Sequence, residues 1–330
     1  MQVAMIGYGY WGRNVARAIK ESGVFKLKSI FDLDSRQIIE AREKYFFEEY
    51  SSYQKILEDK DIDAVFIITP PQTHFHLALK ALENHKHIFV EKPLCMSLKE
   101  AEILYEEAKK RNLCIHCDHI FLYAPAVRWL KENITELGDI VYINSRRINL
   151  GLFQNYVDVV WDLAIHDLSI IDHLVGLEIK DIEVFSRKYQ NYPNEALANI
   201  NLELQSGIIV TINVSWLSPI KVREMIIGGE RKTAIYDETK SQKLAVFNSG
   251  VVIKDEFDKS NLYQKMVEYK LGDTFYPNLD TKMALNFSIE TFYSEIQKKD
   301  LFLYQKSKEH VLRVIKVLEL ISKEKERIKK

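Results

Sequence analysis

The feature that most constrains this chain stands at its start. Met1-Gln2-Val3-Ala4-Met5-Ile6 is a short apolar run, Gly7-Tyr8-Gly9-Tyr10-Trp11-Gly12 follows at once, and Val15, Ala18 and Ile19 then recur at helical spacing. That order is strand, tight turn, helix. In such a turn the first glycine permits the sharp reversal, the second lets backbone approach a pyrophosphate, and the third lets helix pack closely on strand. The helix end then offers unpaired amides and a positive dipole to the phosphates. Alone, the six residues are equally compatible with a plain glycine-rich turn; the segments after them decide between the two.

Residues 25–31 alternate as a strand that ends on Asp32-Leu33-Asp34. Asp32 lies about twenty residues beyond the glycine turn, where a dinucleotide fold places the carboxylate that accepts from the adenosine ribose hydroxyls. A carboxylate there repels a 2′-phosphate, which favours NAD; Arg36 keeps NADP open. Asp32 or Asp34 also suits the cap of a helix starting near Ser35, and the two roles are compatible. Helices are expected near 35–45, 51–58, 76–84 and 97–110, alternating with strands at 64–69, 87–90 and 113–117. The run 64–69 is continuously apolar, as a parallel strand covered on both faces requires. Thr69-Pro70-Pro71-Gln72-Thr73-His74 and Glu91-Lys92-Pro93 both fall at strand carboxyl ends, the edge at which open α/β sheets bind ligands. Proline halts the ladder there and presents Lys92 beside the glycine turn.

Beyond Asp118 the texture changes. Residues 125–133 and 158–176 pattern as helices and 140–150 as a strand, while 181–253 carry successive alternating segments separated by Ser-Gly, Ser-Pro and Gly-Gly breaks. Two further helices, near 281–297 and 307–328, close the chain. The expected class is α/β: an N-terminal Rossmann domain with a doubly wound parallel sheet over 1–118, and a C-terminal α+β domain with a largely antiparallel open sheet over 119–330.

Charge excludes several classes of partner. Lys+Arg 46 against Asp+Glu 47 leaves no basic field for nucleic acid or an anionic membrane. Apolar runs are strand-sized, and a chain opening directly on a strand leaves no room for a signal peptide, so cytoplasm is the expected location. Cys114-Ile115-His116-Cys117 looks at first like a metal or redox motif. On a strand, however, residues three apart point to opposite faces, and no second ligand pair lies at finger spacing, so no metal is expected.

Together Gly7-Tyr8-Gly9-Tyr10-Trp11-Gly12, the 69–74 run, Glu91-Lys92-Pro93 and Asp162-Leu163-Ala164-Ile165-His166 resemble the Gfo/Idh/MocA family of dinucleotide-dependent sugar and cyclitol oxidoreductases. The finer wording of Arg147-Ile148-Asn149-Leu150-Gly151, Trp161 to Ser169 and Ser215 to Arg223 is similar to the branch holding UDP-N-acetylglucosamine 3-dehydrogenase-like and related sugar-nucleotide enzymes. Ile165, where that branch carries proline, and Cys95, where alanine is common, depart from it without removing a chemical group. The resemblance implies oxidation of a ring hydroxyl at C3 of a UDP-linked N-acetylhexosamine. Alternatives are a free-sugar or inositol dehydrogenase, a deoxysugar-nucleotide ketoreductase, and a dinucleotide-binding regulatory protein without turnover.

It implies roles as well. Lys92 would hydrogen-bond the reacting oxygen, His166 would be general base, and Asp162 would orient sugar hydroxyls; a four-residue helical spacing puts the last two on one face. Cofactor contacts would come from Gly7, Gly9, Tyr10, Trp11 and Gly12 in the turn, from Asp32, and from Thr69, Pro70, His74, Glu91 and Lys92 at the sheet edge. Arg146, Arg147, Asn149, Lys221 and Arg223 would suit a diphosphate, with Trp161 beside the sugar; as ordinary strand residues the cations fit equally well. His166 and His74 also have a purely structural alternative, as a satisfied interior histidine and as a helix cap. A homodimer or homotetramer through the open sheet face is expected.

Overall fold

The computed structural model describes residues 1–151, 153–253, 267–298 and 301–328. The chain forms two compact units, Met1–Ala124 with Lys282–Glu319, and Pro125–Thr281 with Leu320–Lys330. Lys282–Glu319 thus groups with the N-terminal segment, and the last residues group with the second unit.

The first unit alternates strand and helix: β1 (Gln2–Ile6), α1 (Tyr10–Ser22), β2 (Lys26–Phe31), α2 (Ser35–Arg42), α3 (Tyr53–Glu58), β3 (Ala64–Ile67), α4 (Pro71–Glu83), β4 (His87–Glu91), α5 (Leu98–Arg111) and β5 (Ile115–Asp118). All strands run parallel in the order β2-β1-β3-β4-β5. The winding reverses between β1 and β3, so the crevice at their carboxyl ends is the place such a sheet keeps for a ligand. Each strand of β3 and the middle of β4 is buried throughout, as two-sided coverage demands. Helix α4 begins at Pro71, earlier than the expected residue 76, because proline is preorganised for a first helical position.

The second unit begins with α6 (Pro125–Asn133) and β6 (Ile140–Leu150), then α7 (Ile165–Val175), β7 (Ile179–Lys188), β8 (Glu195–Leu204), β9 (Ile209–Ser215), β10 (Leu217–Gly229), β11 (Thr233–Asp237), β12 (Leu244–Phe247), β13 (Gly250–Ile253), β14 (Val267–Lys270) and β15 (Thr274–Phe275). Eight of these strands form one sheet in the order β15-β12-β11-β10-β6-β9-β8-β7, antiparallel except for the parallel β6/β9 pair. Along β6, buried Ile143, Ser145 and Arg147 alternate with exposed Tyr142, Asn144 and Arg146. One face of the sheet is therefore covered and the other open.

Helix α8 (Ala284–Lys298) belongs to the first unit, and α9 (Leu301–Ile328) ends the described chain. Leu285, Ile289, Phe292 and Ile296 make a helical stripe that shares one core with Val3, Met5, Phe66 and Phe89. The Phe66 and Phe89 rings stack at 4.7 Å, and Phe292 closes on Phe89 at 5.7 Å. Among the described residues, no helix is long and apolar enough to cross a membrane.

Candidate active site

The glycine turn is built by close approach. Gly7 has φ +96°, and a Cβ on it would lie 2.5 Å from the Ile68 carbonyl oxygen; a Cβ on Gly12 would lie 2.4 Å from the Gly7 oxygen. Both contacts are with backbone, so neither position admits a side chain. Gly9 is different: a Cβ there would meet nothing within 4 Å. Within the protein it needs no glycine, and the open space beside it is what an approaching pyrophosphate uses. Helix α1 starts at Tyr10 with no side-chain cap and no acidic residue in its first turn, so its positive end is not neutralised from within. These residues fit a dinucleotide. Tyr10 is 80% exposed at this helix end.

Of the two aspartates, Asp34 takes the capping role. Asp34 caps α2, accepting from the Arg36 amide at 3.0 Å, and its carboxylate also holds the Arg36 guanidinium. Asp32 caps nothing; its Oδ2 accepts from the Tyr8 amide at 2.7 Å and its Oδ1 from the Asp34 amide at 2.9 Å. A carboxylate has about four lone-pair sites, so two such bonds leave capacity for ribose hydroxyls.

At the other carboxyl ends, Glu91 terminates β4 and Lys92 follows it. The Lys92–Pro93 peptide is cis. Burial raises the Glu91 carboxyl well above its usual range, and the charge of Asp118 adds to the rise, while Lys92 and the Trp11 indole oppose it. The structure thus groups Trp11, Glu91 and Lys92. His74, expected at the cofactor, lies inside instead. It is fully buried, its Nδ1 is 2.8 Å from the Pro93 oxygen and its Nε2 2.7 Å from the Thr69 oxygen. Both ring nitrogens are thus committed to main chain, and His74 ties the Thr69 turn to the Pro93 turn. Pro70 precedes α4 and is exposed, and the Thr69 hydroxyl lies 2.7 Å from that of Thr73.

In the second unit, the expected helix over 158–176 divides in two. Asp158 Oδ1 accepts from the Val160 and Trp161 amides at 3.0 Å each, a π-helical turn runs Val160–Ala164, and α7 continues from Ile165. Such wide turns recur at functional sites. From Val159 to Asp172 every residue is buried except Asp162 and His166. Those two side chains are thus the partly accessible ones in an otherwise enclosed stretch. Asp162 is further held by Trp216, whose indole N–H donates to Oδ2 at 2.9 Å. Trp216 packs on Phe153 and Tyr192, and Gly151 lies so close to it that a Cβ would stand 2.7 Å from the Trp216 ring and 3.1 Å from the Asn149 side-chain nitrogen. Asn149 therefore joins this group. Trp161 does not present a donor to it, since its indole N–H bonds Ser322 Oγ at 3.1 Å.

The expected cations separate. Arg147, 3% exposed, forms a two-pronged ion pair with Asp167, both bonds 2.9 Å. The guanidinium, expected at a diphosphate, is here paired with a buried carboxylate that would otherwise be uncompensated. Arg223 is the register partner of Arg147, and burial together with that like charge lowers its pKa. Arg146 projects from the opposite, open face of β6, and Lys221 is exposed beyond an irregularity in β10.

Two family profiles match this chain. Residues 1–119 match the profile described as oxidoreductase family, NAD-binding Rossmann fold, and residues 133–235 match the GFO/IDH/MocA C-terminal domain. The chain belongs to the Gfo/Idh/MocA family of oxidoreductases. It is 31% identical over 190 residues to scyllo-inositol 2-dehydrogenase (NAD(+)) of Bacillus subtilis, covering 53% of this chain and 56% of that enzyme. It is 30% identical over 183 residues to UDP-N-acetylglucosamine 3-dehydrogenase of Acidithiobacillus ferrooxidans, covering 55% and 56%. The matched part thus spans little more than half of either curated relative. The solved structure of the latter's namesake from that organism superposes with a TM-score of 0.80 over 98% of this chain and 97% of that one, at 22% identity, which establishes the shared fold.

Trp216 and the residues behind Glu91 escaped sequence reasoning. Trp216 reads as an apolar strand residue. Ser288 and Glu295, described below, left one signal: polar residues seven apart interrupting the apolar stripe of α8.

Proposed function

We propose that this protein is an NAD-dependent dehydrogenase that oxidises a secondary ring hydroxyl of a sugar or cyclitol, with C3 of a UDP-linked N-acetylhexosamine as first candidate. The carrying observation is that Asp162 and His166 alone are partly accessible in the buried stretch Val159–Asp172, with Asp162 bonded by Trp216. When bound, the dinucleotide supplies the hydride acceptor. His166 takes the hydroxyl proton, Asp162 fixes neighbouring hydroxyls, and Lys92 donates to the oxygen as negative charge develops on it. Asp32 supports NAD over its 2′-phosphorylated form, and the open sheet face supports association into a homodimer or homotetramer.

A free cyclitol is the second reading. It is supported by the likeness to scyllo-inositol 2-dehydrogenase and by the commitment of Arg147 to Asp167, which leaves fewer cations for a diphosphate. A panel of nucleotide sugars, free sugars and inositols, assayed with NAD and NADP for reduced nicotinamide, separates the two. Turnover of inositols alone removes the nucleotide-sugar reading. Lys92→Ala should abolish turnover while cofactor binding persists; undiminished oxidation would overturn the mechanism.

A further inference from the structure

Behind Lys92 the first unit buries a connected set of ionisable side chains. Asp118, last in β5, is fully buried, and Glu91, last in β4, is its register partner on the adjacent parallel strand. Each leaves one carboxyl oxygen, Glu91 Oε2 and Asp118 Oδ2, enclosed without a hydrogen-bond partner. From the other oxygen of Asp118 a chain continues: Ser288 Oγ lies 2.7 Å from Asp118 Oδ1, His116 Nε2 lies 3.0 Å from Ser288 Oγ, and Glu295 Oε2 lies 2.8 Å from His116 Nδ1. The His116 ring stacks on Phe89 at 5.1 Å and 15°, which fixes its plane.

With Glu295 as a carboxylate, counting hydrogens leaves two arrangements that satisfy every link. A carboxylate only accepts, a serine hydroxyl has one proton to give, and an imidazole has one or two. In the first arrangement, Ser288 donates to an ionised Asp118, so its oxygen must accept from His116 Nε2–H while Nδ1–H donates to Glu295; His116 is then an imidazolium. In the second, Asp118 is a carboxylic acid donating to Ser288, Ser288 donates to a bare Nε2, and Nδ1–H still donates to Glu295. The two differ by the position of one proton.

We propose that Ser288 relays one proton between His116 and Asp118, and that its position sets the charge that Asp118 and Glu91 present to Lys92. In the step, the Nε2–H bond of His116 breaks and that proton joins Ser288 Oγ, while the original Ser288 O–H bond breaks and its proton joins Asp118 Oδ1. The bonding electrons stay on Nε2 and Oγ, so an imidazolium–carboxylate pair becomes a neutral imidazole and a carboxylic acid. Burial favours the neutral form, and it pushes the Asp118 carboxyl up to about 6. An ammonium at Lys92 favours the charged form. Cys114 just before β5, Cys117 within it, Tyr105 of α5, Tyr123 after β5 and Tyr304 of α9 surround the chain; burial raises all of them, so they stay neutral near pH 7. His119 follows Asp118, its ring 5.2 Å from that of His310. The proton therefore answers chiefly to Glu91, Lys92 and Glu295, and these members are positioning residues that act through Lys92.

The link to turnover rests on the role proposed for Lys92, so the first test needs no substrate. Imidazole nitrogen NMR on the full chain, with His116 assigned through His116→Gln, distinguishes imidazolium from neutral ring. Lys92→Met should move the His116 signals toward the neutral form. Ser288→Ala and Asp118→Asn should each abolish that response, and Ser288→Thr should restore it. A His116 signal indifferent to Lys92→Met, or a response that survives Ser288→Ala, overturns the relay whatever the sugar panel shows. In turnover, Ser288→Ala should lower kcat about tenfold with the KM for dinucleotide within about twofold, and Ser288→Thr should recover it. Unchanged kcat in Ser288→Ala severs the relay from catalysis.

Discussion

The Trp216 indole N–H donates to Oδ2 of Asp162 across 2.9 Å, and Trp216 is itself 1% exposed. A carboxylate meant to bind hydroxyls is thereby held in one orientation by a ring that cannot move. Trp216→Phe keeps an aromatic ring and removes the donor. We expect kcat/KM to fall about tenfold with dinucleotide affinity unchanged, and stability to fall by about 1–2 kcal/mol. Steady-state kinetics and thermal unfolding on the same preparation test this; a folded variant with unaltered kcat/KM would contradict it.

The three glycines of the opening turn should separate by cause. Gly12→Ala places a Cβ 2.4 Å from the Gly7 oxygen and should cost about 1–3 kcal/mol of folding stability. Gly9→Ala meets no protein atom within 4 Å, so its unfolding midpoint should match the parent while NAD affinity drops at least about tenfold, or about 1.4 kcal/mol. Calorimetric titration with NAD and denaturant unfolding together decide it. Equal destabilisation by both would mean that Gly9 serves the fold alone.

Arg147 and Asp167 have side chains 4% and 2% exposed, so their ion pair is shielded from solvent. Arg147→Met leaves a buried carboxylate unpaired and should cost about 3–5 kcal/mol, whereas Arg147→Met with Asp167→Leu should recover most of that loss. Urea unfolding of the single and double variants measures the difference. A stable Arg147→Met with raised substrate KM would instead return Arg147 to the substrate.

Asp118 carries a pH signature. Its folded-state pKa, about 6, lies above its unfolded value, so between about pH 4 and 6 the folded chain binds more protons than the unfolded one. Its contribution is therefore most favourable below that window and is lost as pH rises through it. Asp118→Asn removes the dependence, and its melting temperature relative to wild type should climb across the window and level off above. A difference constant from pH 4 to 7 would show that Asp118 ionises normally.

Much of the scaffold was legible in the residues. The β1-turn-α1 junction, the apolar run of β3 and the alternation along β6 each encode their surroundings locally, through chain sterics and the periodicity of burial. Boundaries differ where one residue type overrides the pattern, as at Pro71, which starts α4, and at Asp158, whose carboxylate accepts from the Val160 and Trp161 amides of a π-helical turn. The site was less legible. Lys92, Asp162 and His166 are candidates because their spacing falls in a linear motif, whereas Trp216, Ser288 and Glu295 belong to no such motif.

The sequence by itself determined the class of fold, the glycine turn and the family, because each rests on short-range geometry or an ordered set of motifs. Tertiary structure alone decided which side chains are available. Arg147 and Arg146 are neighbours in the chain, yet strand alternation buries one against Asp167 and leaves the other on the open face. His116 reads as part of a cysteine-rich strand until Ser288 and Glu295, more than a hundred and seventy residues later, supply its partners. Hydrogen bonding and desolvation act between residues that folding brings together, and no local pattern records which those will be.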